Sequence, residues 1–209
     1  MDIISDLIPK GKYNIKCPYS MVPEFIVIHN TSNDATAKAE VTYMKNNNAA
    51  TSYHFAVDDV EIRQAIPLDR NAFHAGDGDG GKGNRKGIAI EICYSKSGGE
   101  KFMKAEDNAA KLTATLLKKF GWNTDRLKKH QDFSGKYCPH RTLDMGWDRF
   151  VTKVEGYMTS ELETINDIVW ELSERGIISD KELWIKKLKK DTDVYWLARK
   201  CANYIKDNC

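Results

Sequence analysis

The sequence predicts an α/β domain over residues 1–155, followed by a small all-α module over 159–209. Three observations carry this. Short apolar runs of strand character (FIVI, SYHFAV, GIAIEICY) alternate with segments of helical periodicity in the first part. Near Gly156 the strand-like runs stop. From residue 159 on, apolar residues recur only at helical spacing.

In chain order, Phe25–Ile28 reads as a short buried strand ending at His29. Thr31, Ser32 and Asn33 offer N-cap chemistry for a helix through ATAKAEVTYMK. SYHFAVDDVEIRQAI reads as two strands around a turn at Asp58 and Asp59. GIAIEICY is a strand with Ile88, Ile90 and Ile92 on one face and Ala89, Glu91 and Cys93 on the other. Ala109, Leu112, Leu116 and Phe120 mark a helix from Lys104 to Phe120, with Gly121 as its stop. A helix around GWDRFVTKVE closes the domain. The C-terminal module reads as three helices. The first carries Leu162, Ile165, Val169 and Leu172 and stops at Gly176. The second opens on a Ser179/Glu182 capping box and buries Trp184 and Leu188. The third starts near Asp191 and carries Val194, Leu197, Cys201 and Ile205.

A net charge of +2 over 209 residues is too balanced to point to nucleic acid, and no basic run is interleaved with aromatics. No apolar run reaches the about 18–20 residues of a membrane span, so membrane insertion is not expected. MDIISDLIPKGKYN has early acids and no apolar core, so no secretory leader is read and a cytosolic location is expected. Cys17, Cys93, Cys138, Cys201 and Cys209 are odd in number and scattered, which predicts free thiols rather than a disulfide framework.

GDGDGGKGNRKG fits parts of three motifs and completes none. As a phosphate loop it has Gly83 where the magnesium-holding hydroxyl belongs, and no helix start is expected after it. As a calcium loop starting at Asp77 it has Ile88 where the bidentate Glu belongs. A surface glycine loop remains, with His74 just before it.

HQDFSGKYCPHR, residues 130–141, contains His130, Cys138 and His140. A catalytic zinc takes three protein ligands and leaves one position open. His29 ends a strand, where side chains reach clefts. His130 and Cys138 flank a glycine-containing excursion that could bring both to one point, and Pro139 favours extended backbone at Cys138. A surface loop with a half-buried Cys is the plain alternative. A Cys138 nucleophile with His130 as base is another, disfavoured by its placement in a turn rather than at a helix N-terminus. Glu91 is a carboxylate in an otherwise apolar strand, costly to bury without compensation and suited to act as a general base. An edge strand with one wet face would explain it without function.

FIVIHNT, SYHFAVDD, FHAG, GIAIEICYS and HQDFSGKYCPH, in this order, resemble the zinc-dependent N-acetylmuramoyl-L-alanine amidases of the amidase type 2 family. That family includes phage endolysins and animal peptidoglycan recognition proteins. The resemblance covers about residues 20–150 and is strongest to endolysins of phages infecting spore-forming Gram-positive bacteria. It implies a central mixed sheet flanked by helices. It implies a zinc held by His29, His130 and Cys138, with Glu91 activating water. Lys136 matches a cation that stabilises the oxyanion, Tyr53 an aromatic hydroxyl near the metal, and His74 a substrate-groove residue. His54 and His140 match no ligand. Family members that lose the Cys bind peptidoglycan without catalysis; this chain keeps it. The implied role is a lysin that cleaves the bond between N-acetylmuramic acid and L-alanine, held in the host cytoplasm until a holin-like agent releases it to the wall. A non-catalytic wall-binding protein is the competing class.

Residues 159–209 carry nine Lys/Arg and ten Asp/Glu, so electrostatic anchoring to a wall is not expected. Trp170, Trp184, Tyr195, Trp196 and Tyr204 are read mostly as core. By layout alone this end is a cell-wall-binding domain; self-association through an aromatic helix face is the alternative. Met158 at the junction offers a conceivable internal start.

Overall fold

A computed structural model describes residues 2–159 and 165–208, and the chain divides into two compact units, 1–155 and 156–209. The first unit is built on one six-stranded sheet. Its elements in order are β1 (Ile3–Ser5), α1 (Tyr13–Lys16), β2 (Phe25–Asn30), α2 (Ala37–Asn46), β3 (Phe55–Val57), β4 (Ile62–Gln64), α3 (Lys82–Lys86), β5 (Gly87–Ile92), α4 (Gly99–Phe120), β6 (Leu127–Lys129), α5 (Gln131–Ser134), α6 (His140–Asp144) and α7 (Trp147–Thr159). The sheet order is β1-β4-β3-β5-β2-β6. Only the β3–β4 hairpin is antiparallel; every other neighbour pair is parallel. This is the mixed sheet with helices that the family resemblance implies.

The centre of the sheet is β5-β2. Ile26, Val27, Ile28, Ile88, Ala89 and Ile90 are fully buried on both faces. Central parallel strands read this way because helices cover both sides. The alternation seen in GIAIEICY therefore separates two buried environments, not core from solvent. Two strands escaped the sequence reading for physical reasons. β1 is three exposed residues on the sheet edge. β6 is Leu-Lys-Lys, with too little apolar pattern to register, and it forms by pairing with β2 at the opposite edge.

Local signals fared unevenly. The cap of α2 is Thr36, whose hydroxyl accepts from the Ala39 amide at 3.1 Å. The expected Thr31–Asn33 cluster lies too early: Asn33 Oδ1 is committed to the Ala35 amide and the Ser32 amide to Ser95 Oγ. α4 starts at Gly99, five residues before the expected Lys104. Just before it, Gly98 sits at φ +74 under the Arg141 guanidinium, where a Cβ would stand 2.5 Å from Nη1. The stop at Gly121 is as read: φ is +66, its amide meets Lys118 O, and the Trp122 amide meets Leu117 O. A short helix, α3, does follow the glycine loop, contrary to the expectation of none. Its leading amides are already taken, Gly83 N by Asp77 Oδ2 at 2.6 Å and Asn84 N by Asp77 Oδ1 at 3.2 Å, so no phosphate cradle results.

The second unit contains α8 (Ile165–Glu174), α9 (Lys181–Lys190) and α10 (Thr192–Asn208). Ile168, Val169, Leu172, Ile178, Leu188, Ala198 and Ala202 form its core, with Trp184, Val194 and Ile205 packed against them. On α10 the expected Val194 and Ile205 do pack against the core, but between them Ala198 and Ala202 are inside, while Leu197 and Cys201 are exposed. Asp180, not Ser179, caps α9, accepting from Leu183 N at 2.9 Å. Trp170 and Tyr204 are exposed rather than core. Leu162 and the Trp196 side chain lie outside the described residues. Among the described residues no helix is long and apolar enough to cross a membrane, and Cys17, Cys93, Cys138 and Cys201 are free thiols.

In the first unit, α4 and α7 are joined by a buried charge. Glu106 is fully buried and accepts from Arg149 Nη2 at 2.8 and 2.7 Å, with Lys153 Nζ at 3.7 Å. Removing one partner of a fully buried pair costs about 3–5 kcal/mol. The Arg149 side chain is 33% exposed, which lowers that figure. Glu106→Ala is expected to lower unfolding free energy by about 2–3 kcal/mol, read as a shift in the urea midpoint with the slope unchanged.

Candidate metal and catalytic site

Three parallel strands bring the site together at one end of the sheet. β2 and β5 pair so that His29 stands opposite Glu91. β6 pairs with β2 so that Lys129 stands opposite Ile28. His130, the next residue, therefore arrives beside His29. All three lie at the C-terminal ends of their strands, where open α/β sheets form crevices.

Cys138 reaches the same point by an excursion that closes on itself. α5 ends at Gly135, in the left-handed conformation at φ +74, and the Gln131 amide bonds the Cys138 carbonyl at 3.0 Å. The Cys138–Pro139 peptide is cis. Asn30 pins the return. Its Oδ1 accepts from Arg141 N at 2.9 Å and Thr142 N at 3.3 Å, the leading amides of α6. The residue after His29 thus holds the loop that carries Cys138, a function that no sequence signal announced.

His29 Nδ1 lies 3.1 Å from His130 Nδ1 and 4.0 Å from Cys138 Sγ. One donor atom from each of the three buried residues falls within 4.8 Å of the others. Tetrahedral bonds of about 2.0–2.3 Å to nitrogen and sulfur put donors about 3.3–3.7 Å apart, so the group is sized for a metal ion. The donor set, two imidazoles and a thiol, is of the kind that zinc takes.

The electrostatics are those of a dry site. Burial, then His74 and His130, hold His29 well below the ordinary histidine range. Burial lowers His130 in the same direction. Burial, then the Glu91 carboxyl, pushes the Cys138 thiol up to about 11. Burial, then Glu40, raises Glu91 to about 8, against an opposing pull from Lys136. Neutral imidazoles are the ligating form. A dication at the cluster would deprotonate the thiol outright. The nucleophile reading of Cys138 fares worse. α6 begins two residues after it, closer to a helix N-terminus than expected, and the His140 amide does favour the thiolate. Burial outweighs that help.

The cluster lines a cleft of about 740 Å³ with Glu91, His74, Lys136 and the rim of the glycine loop. Tyr53 is not in this cleft. It lines an adjoining cavity of about 390 Å³ that shares Glu91 and Lys136 and also exposes Glu40. The Tyr53 hydroxyl and Glu91 Oε2 are buried with no hydrogen-bond partner among the described residues. Lys136 is exposed and faces both spaces. Glu40, half-buried on α2, went unnoticed in the sequence because a Glu in a helix carries no distinguishing pattern. His54 is structural: its Nε2 donates to Arg70 O at 2.9 Å, and its Nδ1 accepts from Ala89 N at 3.0 Å. Burial holds it at about 4, hence neutral. His140 contacts Ser95 O and stands outside the ligand group.

The chain is similar in sequence and fold to known proteins. A family model described as N-acetylmuramoyl-L-alanine amidase matches residues 19–141. The N-acetylmuramoyl-L-alanine amidase CwlA of Bacillus subtilis (strain 168) is 55% identical over 154 residues, covering 73% of this chain and 57% of that protein. XlyB of the same organism, with the same activity in its name, is 56% identical over 151 residues, covering 72% and 48%. This chain thus spans about half the length of these relatives. The solved structure of PlyL superposes with a TM-score of 0.72 at 49% identity, covering 74% of this chain and 97% of PlyL. The PlyG catalytic domain gives a TM-score of 0.72 at 47% identity, covering 78% and 99%.

Replacing Asn30 by Ala strands the Arg141 and Thr142 amides, at a cost of about 1–3 kcal/mol. Asn30→Ala is expected to lower the melting temperature and to speed alkylation of Cys138 in the metal-free chain. Unchanged thiol reactivity would show that Asn30 does not hold the loop.

Proposed function

The chain belongs to the N-acetylmuramoyl-L-alanine amidase family, amidase type 2, and from that premise we propose that it hydrolyses the amide bond between N-acetylmuramic acid and L-alanine of peptidoglycan, as a phage lysin. The observation that carries the reading is the buried His29/His130/Cys138 donor cluster with Glu91 beside it in one cleft.

His29, His130 and Cys138 would hold a zinc ion. When bound, zinc supplies Lewis acidity to the scissile carbonyl and lowers the pKa of water toward about 7. Glu91 takes the proton of the attacking water and delivers it to the departing amine of L-alanine. Its placement suits this: Glu91 lines the same cleft as the three donors, and its Oε2 is buried with no hydrogen-bond partner among the described residues. Lys136 reaches the cleft from the excursion before Cys138 and donates to the oxyanion of the tetrahedral intermediate. The Tyr53 hydroxyl is buried with no hydrogen-bond partner among the described residues and lines the adjoining cavity that shares Glu91 and Lys136, so its part in the step would be played through those two residues. Release from the host cytoplasm to the wall would depend on another agent of holin type.

Activity is read as new amino termini and muramyl ends without new reducing sugars, on purified peptidoglycan. Chelation is expected to abolish it and added zinc to restore it. Full activity in metal-free protein would end the metal assignment. Glu91→Gln should keep stoichiometric zinc yet lose about 10²–10⁴-fold in rate, the usual worth of a general acid–base. Zinc-loaded Glu91→Gln with normal turnover would remove Glu91 from the base role.

For residues 159–209 we propose cell-wall binding, supported by the exposed Trp170 and Tyr204 rings, which present apolar faces with polar edges. In a Glu91→Gln background, Trp170→Ala with Tyr204→Ala should reduce retention on walls several-fold without changing the sedimentation coefficient. Loss of a dimer with unchanged wall retention would favour self-association instead.

A further inference from the structure

We propose that His74 is a positioning residue for the metal ligand His29, and that the glycine-rich stretch after it is the scaffold that fixes His74. This rests on the metal-site reading above and extends it to a residue and a loop left without a role there.

Both ring nitrogens of His29 are committed. Nδ1 faces His130 Nδ1 and Cys138 Sγ at 3.1 and 4.0 Å. Nε2 lies 3.0 Å from His74 Nδ1, with the two rings edge to face at 90°. A metal at the cluster needs the lone pair of His29 on Nδ1, so the His29 proton must sit on Nε2. His74 Nδ1 is then its acceptor, and His74 carries its own proton on Nε2. The arrangement selects one tautomer and one ring angle of His29, the service that carboxylates and carbonyls give metal-bound histidines elsewhere. His74 is buried, as a holder of ring geometry needs to be.

The placement of His74 explains the glycines. Asn84 Oδ1 accepts from the His74 and Ala75 amides, each at 2.7 Å, and Asn84 Nδ2 donates to Gly78 O at 2.9 Å. Asp77 accepts from the Gly83 and Asn84 amides, which clamps the start of α3 to the loop. A Cβ on Gly83 would stand 2.5 Å from Ala75 Cβ, and one on Gly81 would stand 2.1 Å from Asp77 Cγ. At Gly76, φ is +69 and a Cβ would stand 3.5 Å from His130 Nε2. These glycines fold the loop tightly on itself beside His130. The motif completes neither a phosphate loop nor a calcium loop; it aims His74.

The test measures zinc affinity of the full chain by competition with a chromophoric chelator, together with the visible spectrum of the Co²⁺-substituted protein. Asparagine places an amide oxygen near the position of Nδ1; glutamine places a polar atom near that of Nε2. His74→Leu is expected to weaken zinc binding about 10–100-fold and to shift the Co²⁺ bands. His74→Asn should recover most of the affinity and spectrum, and His74→Gln should not. If His74→Leu does not fold, Asp77→Ala, which loosens the scaffold from outside the cleft wall, should still weaken zinc several-fold. Wild-type zinc affinity in His74→Leu, or recovery by Gln and not by Asn, overturns the positioning role and returns His74 to substrate contact. Failure of the wild-type chain to bind zinc overturns the metal site itself, a separate result.

Discussion

The register of three parallel strands is the constraint on which the site depends. Pairing β5 with β2 sets Glu91 opposite His29, and pairing β2 with β6 delivers His130 to the same edge. A slip of one residue in either pairing would send a ligand or the carboxylate to the other face of the sheet. What resists the slip is burial. Ile26, Val27, Ile28, Ile88, Ala89 and Ile90 are all enclosed, so any shift breaks packing along the whole strand pair. Hydrophobic side chains thus fix chemical geometry one to three residues away from themselves.

The same burial makes the site electrostatically unusual. His29, Glu91 and Cys138 all move toward their neutral forms, chiefly through loss of water. Lys136 is the cation that faces them, and it is exposed. A buried cluster of donors and a carboxyl in this state is poor in positive charge. The neutral imidazoles needed for ligation cost nothing to maintain there, while a divalent ion would have to displace the Cys138 proton on binding.

The sequence revealed the ends of the site more readily than its supports. FIVIH and GIAIEI were legible as strands because buried β-branched runs bounded by polar residues have few other readings. Glu91 stood out as a carboxylate in a costly place and His29 as a strand end, while His130 and Cys138 were marked by the excursion they flank and by the family resemblance; the structure brings all four into one cleft. Lys136 lines the same cleft, while Tyr53 stands in the adjoining cavity. β6 was invisible because Leu-Lys-Lys has no strand pattern; its partner β2 makes it a strand. Asn30 and Glu40 were invisible because hydrogen bonding across 111 residues or a carboxylate in an adjoining cavity leaves no local trace. On α10 in the second unit, Val194 and Ile205 face the core as their spacing indicates, but Ala198 and Ala202 fill the positions between them, with Leu197 and Cys201 outside. Small residues pack closer helices, and a scheme that scores only large apolar residues passes them over.

The glycine-rich loop shows where such reading stops. Its pattern partly matches motifs whose glycines let a backbone approach a phosphate or a cation. Here the missing side chain lets the loop pack against its neighbours: Gly83 lies against the Ala75 methyl and the Phe133 ring, and Gly81 against Asp77. The physics of the residue is the same in each case, namely that no Cβ occupies the space. Which object fills that space is decided by residues far away. Asn84 could tie down any loop, but it ties the one that ends in His74, and His74 matters because His29 lies 3.0 Å from it. A motif is therefore a statement about permitted backbone and close contact; its function belongs to whatever the fold brings into contact with it.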